Sequence, residues 1–261
     1  MTAPIPRDIP DLPAIPRTHA LLLSSVPASA VVAPARRPLA AVLRLLLAGA
    51  AAAGVTLALM LGSPPRVLSH FAIQSNILLA LVTLLSARRA WTARRPLPAA
   101  LTGAALLYVM ITGLVYHLLL AGASVPFSVT GTDTAPTGWH AVTGHLLHTV
   151  TPVAAVLDWL LLTAPGHMRL RRAATWMLYP VAYLAFSLTR AQVIAVGTPG
   201  RYLYPFLDVE AHGYKHTLAN ALLLGLAFYA LAVALVALDH ARPNPITHRA
   251  KTGFRLRPPV G

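Results

Sequence analysis

The chain has 261 residues, of which 56% are hydrophobic and only 11% charged, with a mean hydropathy of +0.64. A soluble chain carries about 25% charged residues, so there are too few ionic groups to cover a water-facing surface, and the bilayer is the expected solvent. The absence of cysteine excludes disulfides, thiolate metal sites and cysteine nucleophiles. The net charge of +14 reads as a topology signal rather than a nucleic-acid footprint, because basic residues of membrane proteins collect on the cytoplasmic side.

In chain order, residues 1–37 are broken by Pro4, Pro6, Pro10, Pro13, Pro16, Pro27 and Pro34 and read as a disordered, Pro-rich cytoplasmic tail. Within it, Ala20 to Val26 followed by Ala28-Ser29-Ala30 imitates a signal peptide, but the apolar core is short and interrupted, and no basic cluster precedes it. Six apolar stretches follow at about 39–62, 71–87, 99–121, 140–164, 173–195 and 216–238. Each is near the ~20 residues a helix needs to cross the hydrocarbon. The predicted fold is therefore all-α, a polytopic six-transmembrane-helix bundle over residues 38–240. A basic cytoplasmic tail, 241–261, closes the chain.

Lys and Arg fix the expected orientation. Arg7, Arg17, Arg36, Arg37, Arg88, Arg89, Arg94, Arg95, Arg169, Arg171, Arg172, Arg242, Arg249, Lys251, Arg255 and Arg257 fall on one side. Arg66, Arg201 and Lys215 fall on the other, and Arg44 and Arg190 lie within helices. The positive-inside rule puts both termini in the cytoplasm.

Polar side chains then converge on one layer of the outer half. At 1.5 Å per residue, Gln74, Ser75 and Asn76 lie roughly 5–8 Å below the outer boundary, and His145, His148 and Thr151 roughly 8–16 Å below it. Tyr116 and His117 end the third helix at a similar level. Tyr179, Tyr183, Ser187 and Arg190 form one stripe of the fifth helix, with Arg190 about 8 Å deep. Intramembrane ionisable residues are functional candidates by default, although a lone Gln or Asn more often bonds neighbouring helices together. In the inner half, Arg44 either snorkels or pairs with Asp158. His145 and His148 offer two imidazoles, but no Cys, Asp or Glu stands at their level, so no metal is expected.

Three motifs carry a family resemblance. His148-Thr149-Val150-Thr151-Pro152 followed by Leu157-Asp158, Tyr204-Pro205-Phe206-Leu207-Asp208, and Phe71-Ala72-Ile73-Gln74-Ser75-Asn76 are together similar to segments of the androgen-induced integral membrane proteins. The pattern is closest to the bacterial Pr6Pr membrane proteins and covers roughly residues 38–240. The resemblance implies a multi-pass protein of the bacterial cytoplasmic membrane and, from eukaryotic relatives, intramembrane hydrolysis of fatty acyl esters by a threonine and a histidine. His148 corresponds to that histidine. The threonine falls at Ala72, which has no hydroxyl; Ser75, one helical turn on, is the substitute candidate.

Two classes of function stay open. In the first, the chain hydrolyses a lipid ester, with His148 as base and Ser75 as nucleophile. Arg190 clamps an anionic head group, and Gln74, Asn76, His145, Tyr183, Ser187 and Asp208 line the substrate site. Asp208 is expected to orient a histidine or to pair with Arg201 or Lys215. In the second, the same pocket binds or transports an amphiphile without turnover. A b-type haem held between His117 and His145 or His148 is a third reading. The expected partners are membrane lipids and an amphiphilic substrate or ligand, with no cofactor and no nucleic acid.

Overall fold

The structure is a computed structural model that describes residues 35–122, 127–131, 137–198 and 200–243. The expectations for the N-terminal tail up to residue 34 and for the basic tail from residue 244 fall outside the described residues. The described chain is helical, with no strand among the described residues. Its elements are α1 (Pro38–Leu61), α2 (Pro64–Leu68), α3 (Phe71–Trp91), α4 (Ala99–Leu120), α5 (Gly138–Leu162), α6 (Leu170–Trp176), α7 (Leu178–Val193) and α8 (Val209–Ala241). Five of them, α1, α3, α4, α5 and α8, are long and apolar enough to cross a membrane.

The predicted stretch 173–195 is not one helix. It breaks at Met177 between α6 and α7, and the 16 residues of α7 fall short of the ~20 needed for a crossing. Pro180 explains the break, since proline has no N–H for the carbonyl four residues back. That carbonyl belongs to Trp176, and the Tyr108 hydroxyl donates to it at 2.9 Å.

Pro152 has a matching effect in α5. Over Leu146–Val150 the helix widens to a π turn, in which the Thr151 N–H reaches the Leu146 carbonyl. The Leu147 carbonyl thereby loses its backbone partner. It accepts instead from Asn76 Nδ2 and from Thr151 Oγ1, each at 3.3 Å. Asn76 Oδ1 accepts from Thr151 Oγ1 at 2.7 Å. Asn76 thus repairs a carbonyl that proline strands, as buried backbone groups require. A second π turn, Tyr116–Leu120, lies in α4. Gly113, just before it, lets α5 approach closely, because a Cβ there would stand 3.2 Å from the His148 carbonyl oxygen and 3.1 Å from the Pro152 ring.

Small residues build the rest of the packing. α1 lies chiefly on α3 and buries Ala40, Ala41, Ala48, Ala51, Gly54 and Ala58, small residues of the kind that let apolar helices approach closely; Gly54 stands against Leu146 and Leu147 of α5. α8 is less enclosed, with Leu218, Leu222, Leu223 and Leu226 exposed. Asp208 caps its first turn, accepting from the N–H groups of Glu210 and Ala211 at 2.9 and 3.0 Å. Gly213, at φ +72°, breaks the helix before its long apolar run.

The ends away from His148 are closed by ion pairs. Arg44 Nε meets Asp158 at 2.8 Å and its NH2 reaches Thr163 Oγ1 at 3.2 Å. Asp239, 1% exposed, accepts from Arg242 at 2.6 Å, from the N–H groups of His167 and Met168 at 2.9 Å, and from the Trp159 indole at 3.3 Å. The Arg242 guanidinium lies 4.4 Å over the Trp159 ring and donates to the carbonyls of Trp159, Leu160 and Thr163. Those carbonyls end α5, where a helix leaves acceptors unpaired and favours positive charge.

Candidate functional site

His148 is the centre of the candidate site. It is 3% exposed, stacked on Tyr116 at 4.4 Å and edge-on to Phe127 at 6.1 Å. Its Nδ1 is buried and has no hydrogen-bond partner among the described residues. An unpaired buried nitrogen is costly and uncommon; Arg66 Nε and Arg242 Nε share that state among the described residues, but of the three only His148 borders a cavity.

His148 borders a cavity of about 440 Å³. The polar side chains in its wall are Thr112, His148, Tyr183 and Tyr204, and the remainder is apolar. On its open side Val181 of α7 and Leu218, Leu222 and Leu226 of α8 line the cavity and are exposed. The cavity therefore suits a hydrocarbon chain far better than a soluble polar molecule.

The sequence-predicted residues divide between this cavity and its supports. Tyr183 lines it and donates its hydroxyl to the Ser69 carbonyl at 2.9 Å. Ser75 does not line it: the hydroxyl is fully buried, 2.8 Å from Thr112 Oγ1 and 3.1 Å from the Ala72 carbonyl, and no bond joins it to His148. Ala72 is the residue of that turn that borders the cavity. Gln74 faces the other way, donating to the Leu68 carbonyl at 3.0 Å and accepting from the Tyr179 hydroxyl at 2.6 Å. Ser187 is buried and lines neither this cavity nor the smaller one described below. Asp208 is a helix cap rather than a partner of Arg201, which pairs with Glu210.

Arg190 and His148 do not meet. Arg190 donates to the carbonyls of Gly200 and Arg201, both at 3.1 Å, and so holds the turn that follows α7 instead of facing the cavity. His117 is spent on Thr149 Oγ1 at 3.0 Å from an exposed position, so the bis-imidazole haem reading has no pair of free facing imidazoles. Among the described residues no three His, Asp or Glu side chains gather as metal ligands.

A smaller, polar chamber of about 100 Å³ lies on the other side of His148. His140, His145, Ser128, Thr130 and Thr143 line it, and His148 is the one side chain common to both spaces. Thr130 Oγ1 links Ser128 and His140 at 2.8 and 2.7 Å. His145 is exposed at the chamber's rim.

Sequence reasoning missed Thr112, Tyr204 and His70. Tyr108, Thr112 and Tyr116 repeat at i, i+4 and i+8, the spacing that singles out the stripe on the fifth predicted helix, so periodicity alone would have found Thr112. Tyr204 stacks on Phe127 at 5.5 Å and meets His70 edge-on at 6.0 Å. Burial drives its phenol well above the usual range, so it stays protonated.

His70 sits between α2 and α3, 1% exposed, with Nδ1 2.9 Å from the Arg66 carbonyl oxygen. Burial pushes its imidazole down to about 4; the Arg66 carbonyl pulls upward, while the charges of Arg66 and Arg190 push the same way as burial. The folded state therefore holds His70 neutral, whereas an unpacked loop takes up a proton below the ordinary value of 6.5. Stability from this group is complete above that value and falls as pH drops towards 4. The melting temperature in detergent is expected to fall between pH 7 and pH 5, and to fall less in His70→Phe, which keeps the ring packing. An equal drop in both proteins would assign the effect elsewhere.

Comparison of the chain with protein-family models, curated proteins and solved structures finds no match.

Proposed function

We propose that the chain is a six-span protein of the bacterial cytoplasmic membrane, with both termini inside, akin to the Pr6Pr and androgen-induced groups. In this reading α6 and α7 together make the sixth crossing, and the arginine distribution sets the orientation. The larger cavity takes an acyl chain from the membrane and brings an ester to His148, whose neutral imidazole acts as base in hydrolysis. The observation that carries the reading is a cavity with exposed apolar residues of α7 and α8 at its open side and a buried histidine in its wall.

Binding without turnover is the second reading. It is favoured by the hydroxyls: Ser75 and Thr112 bond to each other and to backbone carbonyls of their own helices, and neither donates to His148. One experiment separates the two. Wild type and His148→Ala are purified, assayed on long-chain acyl esters, and weighed with bound lipid by native mass spectrometry. Hydrolysis is expected in wild type and a loss of about 100-fold or more in the variant, the scale of a general base. Bound lipid without hydrolysis in either protein selects the second reading, and neither lipid nor hydrolysis rejects both.

A further inference from the structure

The polar chamber and the apolar cavity share only His148. A single water needs a void of roughly 10–15 Å³ measured at its centre, so the chamber, at about 100 Å³ on the same measure, has room for several. Its hydroxyls and imidazoles offer the several polar partners that an ordered water needs. Its rim carries exposed His145, and its deep wall carries His148, whose buried Nδ1 has no partner among the described residues. The opposite cavity offers water almost nothing to bond to.

We propose that the smaller chamber is a water-filled vestibule, connected to the outer side, that feeds His148 while the acyl ester arrives from the membrane through the larger cavity. The chemistry rests on the hydrolytic reading above; the presence of water in the chamber does not. With Ala72 in the wall, Ser75 turned away and the Thr112 hydroxyl donated to the Tyr108 carbonyl at 3.1 Å, water itself is the nucleophile. His148 takes a proton from water as the water oxygen bonds to the acyl carbon. The ester C–O bond then breaks, and the alkoxide recovers that proton from the imidazolium, leaving a carboxylic acid and an alcohol. No covalent acyl-enzyme forms. The arrangement lets a hydrolase work beside hydrocarbon while only the attacking water passes His148 to the ester.

The lack of cysteine makes the test direct. Single cysteines are placed in the chamber (Thr143→Cys, and separately Ser128→Cys) and at the lipid side of the apolar cavity (Leu222→Cys). A charged, membrane-impermeant thiosulfonate is then applied from outside or from inside the cell. Because the reagent needs a hydrated thiolate, both chamber cysteines are expected to react from outside roughly tenfold or more faster than Leu222→Cys.

Gly144 also lines the chamber, and a Cβ built there meets nothing within 4 Å. Adding Gly144→Leu to Thr143→Cys is therefore expected to slow labelling about tenfold, and Gly144→Leu alone to suppress hydrolysis while leaving bound lipid unchanged. Chamber cysteines that react only with an uncharged maleimide, only from inside, or no faster than Leu222→Cys would overturn the vestibule. Outside labelling as expected, in a protein that hydrolyses nothing, would keep the hydrated chamber and reject the hydrolytic reading alone.

Discussion

Asp239→Ala is expected to lower folding stability by about 3–5 kcal/mol, the cost of leaving one half of a buried ion pair without its partner. Four donors converge on that carboxylate: the Arg242 guanidinium, two backbone N–H groups and the Trp159 indole. Alanine strands all four at once. It also releases Arg242, whose remaining bonds hold the end of α5, so the loop from Thr163 to Met168 loses its side-chain anchors to α8 and keeps the backbone bond from the Gly166 N–H to the carbonyl of residue 239. Asn at 239 keeps one acceptor oxygen without the charge and should fall between wild type and alanine. Unfolding in mixed micelles measures the series, and equal stability of wild type and Asp239→Ala would show that the clamp contributes nothing.

Filling the larger cavity is expected to abolish lipid binding while sparing the fold. Ala221 and Gly225 lie one turn apart on α8 and both line the space; a Cβ added at Gly225 meets nothing within 4 Å. Phe at both positions occupies the space proposed for the acyl chain. Replacing a mid-helix glycine also removes a penalty of up to ~1 kcal/mol, so thermal stability should hold or rise. Co-purifying lipid, read by native mass spectrometry, is expected to fall about tenfold or more, equivalent to ~1.4 kcal/mol of lost affinity. Retention of lipid in the filled protein would place the lipid site elsewhere.

The long helices were legible because an acyl environment demands runs of apolar residues that no surface pattern interrupts. Hydropathy averages over a window, however, and is blind to one missing N–H. It read 173–195 as continuous although Pro180 breaks it, and it stopped one span at 87 where α3 continues to Trp91. The polar layer was legible in kind but not in pairing. Residue depth follows from counting along a helix, whereas direction depends on how each helix is rotated against its neighbours. Ser75 and Ala72 belong to the same turn, yet rotation gives the cavity wall to Ala72. Arg190 lies in the last turn of α7, but its side chain donates to the carbonyls of Gly200 and Arg201 rather than turning to His148. Asn76 fits the interhelical-bond expectation, with an added reason in the carbonyl that Pro152 leaves open.

The widened turns at Tyr116–Leu120 and Leu146–Val150 each take up one residue more than a regular turn, so the helix on either side keeps its phase. A cousin of this chain shorter by one residue within Leu146–Val150 would close to plain α-helix without turning His140, Thr143 and His145 away. What would shift is the ring of His148 itself, which sits inside the loosened turn, so chain length at this point would be felt first at that one imidazole.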